Sequence, residues 1–372
     1  MFHTMTFAIK KGFLASLLAF CSPSRTIGDN CRSNATHIAW KLSDRERETI
    51  LTTLPAFGRH LAQQVVTSRG PSCVYQTRQQ AEQECVQFLS DNLMAFDVPF
   101  QQTMGFPNSS PYGDDDDADG LDNGLIGPTV TLSLDAKVLY PWTDALPKYI
   151  FQNYVMNYAN FNEARTNWRP LLVDTLNFTE TDLYQNRDAT NVSSVVTWVN
   201  TVLWTKLGRP GKSIYFKPSQ TPLIFDTMST IAFGYASCTG TSILFTNALR
   251  SIGIAARVVG TPAWHGNVSQ GNHNWVEVYD IHENPNVWKF LEPSPSLPHV
   301  DTIDDPPCSR WFCKANNYPA SKVYAARLEK YSVQEGMLTH VPLPWEWYCQ
   351  DVPGIDRTNY YAEVCGACHL ED

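Results

Sequence analysis

The apolar residues of this chain change period along its length, and each change marks an element. Phe245, Leu249 and Ile252 recur at i, i+4 and i+7 with Leu244 and Ala248 beside them, so the stretch after Cys238 reads as a core-packed helix that Gly253 stops. Over residues 272–279 the period falls to two. Val276 and Val278 share one face and His273, Trp275, Glu277 and Tyr279 the other, which predicts a half-buried strand with a histidine near its start. Residues 287–291 form a second short strand that ends on Glu292. Upstream, residues 43–64, 78–93, 145–159 and 192–207 pattern as helices, and 129–134 as a strand. The helix ending in Lys206-Leu207-Gly208 is expected to pack beside the one that follows Cys238.

Between these elements lie breaks. Residues 106–127 mix Pro, Asn and Ser with a run of acids and read as a surface loop. Asp115, Asp117, Asp119 and Asp122 offer oxygens at spacings like the start of a calcium loop, but Ile126 stands where the bidentate Glu belongs, so a solvated acidic loop is expected. Residues 209–222 are rich in Pro and Gly and are expected to line the approach to Cys238; a Pro-rich run up to Pro307 leads into a Cys-rich tail. The chain has no internal repeat.

With 372 residues, two or three packed regions are expected, and 11 Trp and 16 Tyr argue for real cores. A net charge of −9 leaves no basic footprint for nucleic acid. The start reads as a secretory signal: Lys10-Lys11, an apolar run over 12–20, then Cys21-Ser22-Pro23-Ser24. That run is too short to span a bilayer, no later segment reaches membrane length, and bulky Phe20 excludes a lipoprotein signal; bipartite plastid signals begin in the same way. Of ten cysteines, Cys21 leaves with the signal and Cys238 is set aside for chemistry. Cys31, Cys73, Cys85, Cys308, Cys313, Cys349, Cys365 and Cys368 remain, enough for four disulfides, with Cys73 and Cys85 near enough in sequence for a local bridge. The spacings Cys308-x4-Cys313 and Cys365-x2-Cys368-His369 also suit zinc, but an oxidising compartment favours disulfides. Asn34, Asn108, Asn177, Asn191 and Asn267 head glycosylation sequons.

The candidate chemistry is one ordered set. Cys238 sits at a helix N-terminus, where unpaired amides and the dipole favour a thiolate and can donate to an oxyanion. A Cys–His pair needs a third group to fix the imidazole tautomer, and a carboxylate at the end of an adjacent strand can serve. That selects His273 and Glu292 over His265, which precedes the Asn267 sequon in a polar loop, and over His282, in a turn. Glu277 and Asp280 are rival acids, but side chains of one strand project side by side and neither faces the imidazole.

These residues resemble the transglutaminase-like superfamily of papain-related folds. The resemblance rests on the small-residue turn before Cys238, the Arg-x-x-Gly-Ile-x-x-Arg-Val-x-Gly pattern over 250–260, the strand beginning His273-Asn274-Trp275-Val276-Glu277-Val278, and Trp-x-x-x-acid-Pro over 288–293. It is firm over roughly 225–295; upstream, Ala145-Leu146-Pro147-Lys148-Tyr149-Ile150 and Asn167-Trp168-Arg169-Pro170-Leu171 resemble a helical region that precedes the core in some members. It implies an α+β fold, a nucleophile helix packed on an antiparallel sheet, with Cys238 as nucleophile, His273 as base and then acid, and Glu292 as the orienting carboxylate. The third position is usually Asp in the family, so Glu292 is one methylene longer. The animal crosslinking members follow the cysteine with Trp, whereas here Thr239 follows, which turns the expectation toward hydrolysis. The expected organisation is a signal peptide at 1–24, a helical N-terminal region at 25–105, an acidic loop at 106–127, a transglutaminase-like catalytic domain at 128–300 and a Cys-rich C-terminal region at 301–372. The expected function is thiol-dependent acyl transfer on peptide or carboxamide bonds of a protein or peptide substrate, without a cofactor, in a secreted protein or one of the secretory-pathway lumen. Transamidation and an inactive binding module are the alternatives.

Overall fold

In the computed structural model, which describes residues 77–106, 124–178, 181, 191–219, 223–283, 287–295, 299–314, 321–330, 338–344 and 350–369, helices come first along the chain and most strands after. The signal-like start, the 43–64 helix, the acidic run at 115–122, Cys31, Cys73, Cys349, Asn34 and Asn108 lie outside the described residues. The helices are α1 (Arg78–Asp91), α2 (Ile126–Leu139), α3 (Pro141–Asp144), α4 (Lys148–Tyr154), α5 (Arg169–Leu176), α6 (Val192–Lys206), α7 (Thr227–Phe233), α8 (Cys238–Ser251), α9 (Trp311–Lys314) and α10 (Thr358–Gly366). The strands are β1 (Tyr215–Phe216), β2 (Tyr235–Ala236), β3 (Ala256–Thr261), β4 (His273–Asp280), β5 (Val287–Leu291), β6 (Tyr324–Ala326), β7 (Leu338–His340) and β8 (Pro353–Asp356).

Local chemistry sets several boundaries. Thr77 and Gln80 form a reciprocal capping box at α1, and Asn191 and Asp226 accept first-turn amides of α6 and α7. Gly253 follows α8 at φ +76°, and a side chain there would overlap Thr143. Two expectations are corrected. Residues 129–134 belong to α2, not a strand: Ile126, Val130 and Leu134 recur every four residues on a buried face, and this spacing prevails over the β-branched Thr129, Val130 and Thr131. The helix expected over 145–159 is only α4. Beyond it, Asn157 accepts from the Ala159 amide at 3.0 Å and Glu163 from the Asn160 amide at 2.8 Å, so side chains take the bonds a longer helix would use.

Strands β5-β4-β3-β6-β8-β7 make one antiparallel sheet, with Thr261 opposite His273 and Val276 opposite Leu291. Helix α8 lies on one face. Its Leu244, Phe245, Ala248 and Leu249 share a core with Val276 and Val278 of β4, Leu291 of β5, and Val195, Val196, Val199 and Leu203 of α6, the neighbour that the sequence predicts. Arg250 ties the helix down: its Nε donates to the Ala256 carbonyl at 3.0 Å and its Nη1 to Ala159 at 2.9 Å. Strand β4 is not half-buried as expected. The C-terminal tail covers its second face, where Trp275 and Phe290 pack with Phe312, Tyr361 and Cys365.

Two disulfides fasten that cover, Cys308–Cys368 and Cys313–Cys365, so the four cysteines whose spacing also suited zinc pair with one another. Cys85 departs from the expected pairing. It is a free thiol, fully buried on the inward face of α1 with Leu89, and burial pushes its ionisation up; no Cys73–Cys85 bridge forms.

Candidate active site

Cys238 is the first residue of α8, preceded by Ser237 in extended backbone (φ −73°, ψ 179°). Ser237 occupies the capping position without a side-chain hydrogen bond, so the first-turn amides stay open to another acceptor beside the thiol. The small turn ahead of it has a packing cause: a Cβ at Gly240 would crowd Ala236 and the Ile224 carbonyl, which lets the start of α8 settle against β2. Strand β4 brings His273 to the sulfur, with which it shares a hydrogen bond, and the same imidazole bonds through Nε2 to Glu292 Oε1. Nδ1 is thus the ring nitrogen left for the thiol.

Glu292 follows the last residue of β5, and its main chain is clamped. The Glu292 amide donates to Asp301 at 3.3 Å, and its carbonyl accepts from buried Asn200 of α6 at 3.2 Å. Asn200 also accepts from the Ser294 amide at 2.9 Å, while Arg310 pairs with Asp301 at 2.7 Å. The imidazole has aromatic walls: Trp264 stacked at 6.3 Å, and Trp311 edge-on at 4.9 Å between centroids. Trp311 and the Phe312 ring, 5.8 Å from His273, come from the disulfide-held tail.

Thr239 and Asn274, which sequence reasoning passed over, complete the group. The Thr239 hydroxyl donates its one proton to Asn274 Oδ1 at 2.8 Å, and the Asn274 amide hydrogen-bonds the Cys238 sulfur beside it. Gly260, opposite Asn274 in β3, is the one available signal: any side chain there would overlap the Asn274 amide. Burial opposes a thiolate, but the hydrogen bond and charge of His273 and the Asn274 amide together hold the Cys238 thiol below its ordinary range. Burial likewise disfavours imidazolium, but the hydrogen bonds to Cys238 and Glu292 and then their charges raise His273 to about 9. The two shifts act in the same sense, toward a thiolate–imidazolium pair.

The rival groups stand apart. Glu277 is fully buried between Arg257, at 2.7 Å, and Arg357, at 3.0 Å, and accepts from the Tyr361 hydroxyl. Asp280 pairs with Lys289 at 3.0 Å and caps the turn holding His282 through that residue's amide. His265 is exposed, in the turn Trp264–Gly266 at φ +53°. Among the described residues one group, His299, Asp301 and Asp305, brings potential metal-ligand atoms within 4.8 Å; Arg310 already bridges both of its carboxylates.

A family model described as the Transglutaminase-like superfamily matches residues 180–293, a span that holds α6 to α8 and β1 to β5. No curated protein and no solved structure matches the chain. The matched span brings the Cys238 helix, the His273 strand and the Glu292 strand end into one cluster, so residues 180–293 of this α+β chain are a transglutaminase-like domain.

Proposed function

We propose that the protein is a thiol-dependent acyl-transfer enzyme that hydrolyses peptide or amide bonds. One arrangement carries the reading: the His273 ring lies between the Cys238 thiol and the Glu292 carboxylate, with Nε2 taken by the acid. The Cys238 sulfur attacks the carbonyl carbon, forming an S–C bond, and the oxyanion is met by the Cys238 amide at the open start of α8. His273 Nδ1–H gives its proton to the departing amine as the C–N bond breaks. It then takes a proton from water, which attacks the thioester and returns the thiol. The side chains of His273 and Glu292 are 12% and 20% exposed, so water reaches the pair, which favours hydrolysis over transfer to an amine.

Secretion belongs to the same proposal. Two disulfides support it, and among the described residues no helix is long and apolar enough to cross a membrane. Asn177, Asn191 and Asn267 are exposed, as glycan acceptors must be.

Alkylation tests the pair directly. Iodoacetamide is expected to label Cys238 rapidly at pH about 6, where an ordinary thiol of pKa about 8.5 scarcely reacts. Peptide mapping should find Cys85 labelled only after denaturation, because its thiol is buried and held protonated. A Cys238 no faster at that pH than a free thiol defeats the proposal. Acylation should also fall as pH rises past about 9, where the imidazolium that protonates the leaving amine is lost.

Glu292 has its own test. Glu292→Gln removes the charge that stabilises imidazolium and can turn an N–H toward the ring. Turnover should fall by about 10²–10⁴-fold, and Glu292→Asp should be milder because a carboxylate survives at shorter reach. Near-normal rates for Glu292→Gln would assign the orienting role elsewhere.

A further inference from the structure

The segment leading into Cys238 is charged against the rest of the chain. The net charge is −9, yet no Asp or Glu occurs from residue 189 to 225, a stretch that holds Lys206, Arg209, Lys212 and Lys217. None of these four cations pairs with a carboxylate among the described residues. Arg209 and Lys212 bridge a turn, and Arg209 ties it to the end of α7 by donating to the Ala232 carbonyl at 2.7 Å. Lys217 sets its ammonium 4.4 Å from the centroid of the Tyr235 ring.

Exposed aromatic rings lie among these charges. Tyr215 and Phe216 of β1 are 47% and 45% exposed, and Phe233 at the end of α7 is 46% exposed. Tyr215 and Phe233 both pack on Tyr235, at 5.8 and 6.0 Å. Strand β1 is half of a two-stranded parallel sheet: the Tyr215 and Lys217 amides donate to Gly234 and Ala236, which turns the Phe216 backbone to the other edge, open among the described residues. Its partner β2 ends at Ala236, two residues before Cys238. Lysine alone would suit an edge kept from aggregating; lysine beside exposed rings on an open edge suits a strand-like ligand.

We infer that this edge takes an extended peptide segment bearing carboxylates beside apolar or aromatic side chains, and leads it to Cys238. The peptide backbone pairs with Phe216, its carboxylates meet Lys212 and Lys217, and its apolar side chains lie on Tyr215, Phe216 and Phe233. A long polyanion is disfavoured because the whole chain is negative, whereas a short acidic peptide within a Debye length of about 8 Å feels the local cations. The delivery of this peptide to the thiol rests on the proposed acyl transfer; its binding to the edge does not.

The test uses the full chain with Cys238→Ala, so that nothing turns over, and a fluorescein-labelled decapeptide alternating Glu with Phe and Leu, read by anisotropy. It should bind at least about tenfold tighter than the same peptide with Lys for Glu, and lose about fivefold between roughly 50 and 300 mM NaCl. Lys212→Glu with Lys217→Glu should cost at least about tenfold, and Phe216→Ser about fivefold. Equal affinity for the acidic and basic peptides, or no loss in the double reversal, overturns the inference. So does a single-stranded oligonucleotide that binds tighter than the acidic peptide at the same salt. Alkylation of Cys238 separates the two readings: an inert thiol with intact peptide binding removes the enzyme and keeps the surface, and a reactive thiol without charge-selective binding does the reverse.

Discussion

Cys238→Ala is expected to lower peptide or amide turnover by more than about a thousandfold, the scale of losing a covalent nucleophile. The fold should survive. Cys238 is half-buried at the start of α8, outside the fully buried positions that pack the helix on β4, and neither Cys308–Cys368 nor Cys313–Cys365 involves it. Alanine is also well tolerated in a first turn, and the Thr239–Asn274 hydrogen bond needs no sulfur. The measurement is kcat/KM on an internally quenched peptide set, with thermal unfolding run beside it. More than about a tenth of wild-type activity in a folded variant rules out Cys238 as the nucleophile. Loss of activity with loss of fold is resolved by Cys238→Ser, which keeps size and shape and should be folded and nearly as inactive.

What could be read from the chain was what is local in it. The run Leu244 to Ile252 sets its own helical period, and the pairing of β4 with β5 follows from two strands close in sequence, so the meeting of His273 with Glu292 lay within reach of pattern alone. The α+β arrangement and the transglutaminase-like span followed from the same residues. The second face of β4 did not. Its alternation looked like a solvent face because Glu277 and Tyr279 are polar or amphipathic, and what covers it arrives from far along the chain: Trp275 donates to the Tyr361 hydroxyl, 86 residues away. Thr239 and Asn274 were invisible for a different reason. Each is an ordinary polar residue whose role exists only once α8 lies across β3 and β4.

Counting cysteines misled where position would have served. Parity put Cys85 among the paired thiols, but Ala81, Cys85 and Leu89 share the inward stripe of α1 at four-residue spacing. Such a cysteine is a small core hydrophobe, beyond the reach of a partner on the surface. The reverse holds for the tail. The spacing of Cys308, Cys313, Cys365 and Cys368 could not separate zinc from disulfides; the signal-like start favoured disulfides, and which cysteine meets which came from how the tail folds over the sheet.

Glu277→Gln is expected to destabilise the protein by about 3–5 kcal/mol, the cost of breaking a buried ion pair from one side. The carboxylate sits between two guanidinium groups. Arg257, itself buried, donates from Nε at 2.8 Å and lies over the Trp288 ring, and Arg357 donates from Nε at 3.1 Å. Burial pushes the Glu277 carboxyl up, but Arg357 and Arg257, with the Arg257 and Tyr361 hydrogen bonds, outweigh it and hold ionisation below the usual range. A depressed folded-state value stabilises above the unfolded carboxyl value, about 4.3, and that stabilisation is lost as pH falls through the folded one. The gap between wild type and Glu277→Gln should therefore be full at pH 7 and shrink in acid; urea titrations at both pH values measure it. The variant also separates structure from chemistry. If Glu277 only holds β4 to β3 and the tail, the fraction that remains folded at low temperature still alkylates at Cys238 near pH 6. A folded Glu277→Gln protein with an inert Cys238 thiol would mean instead that the buried carboxylate, and not Glu292 alone, sets the charge of His273.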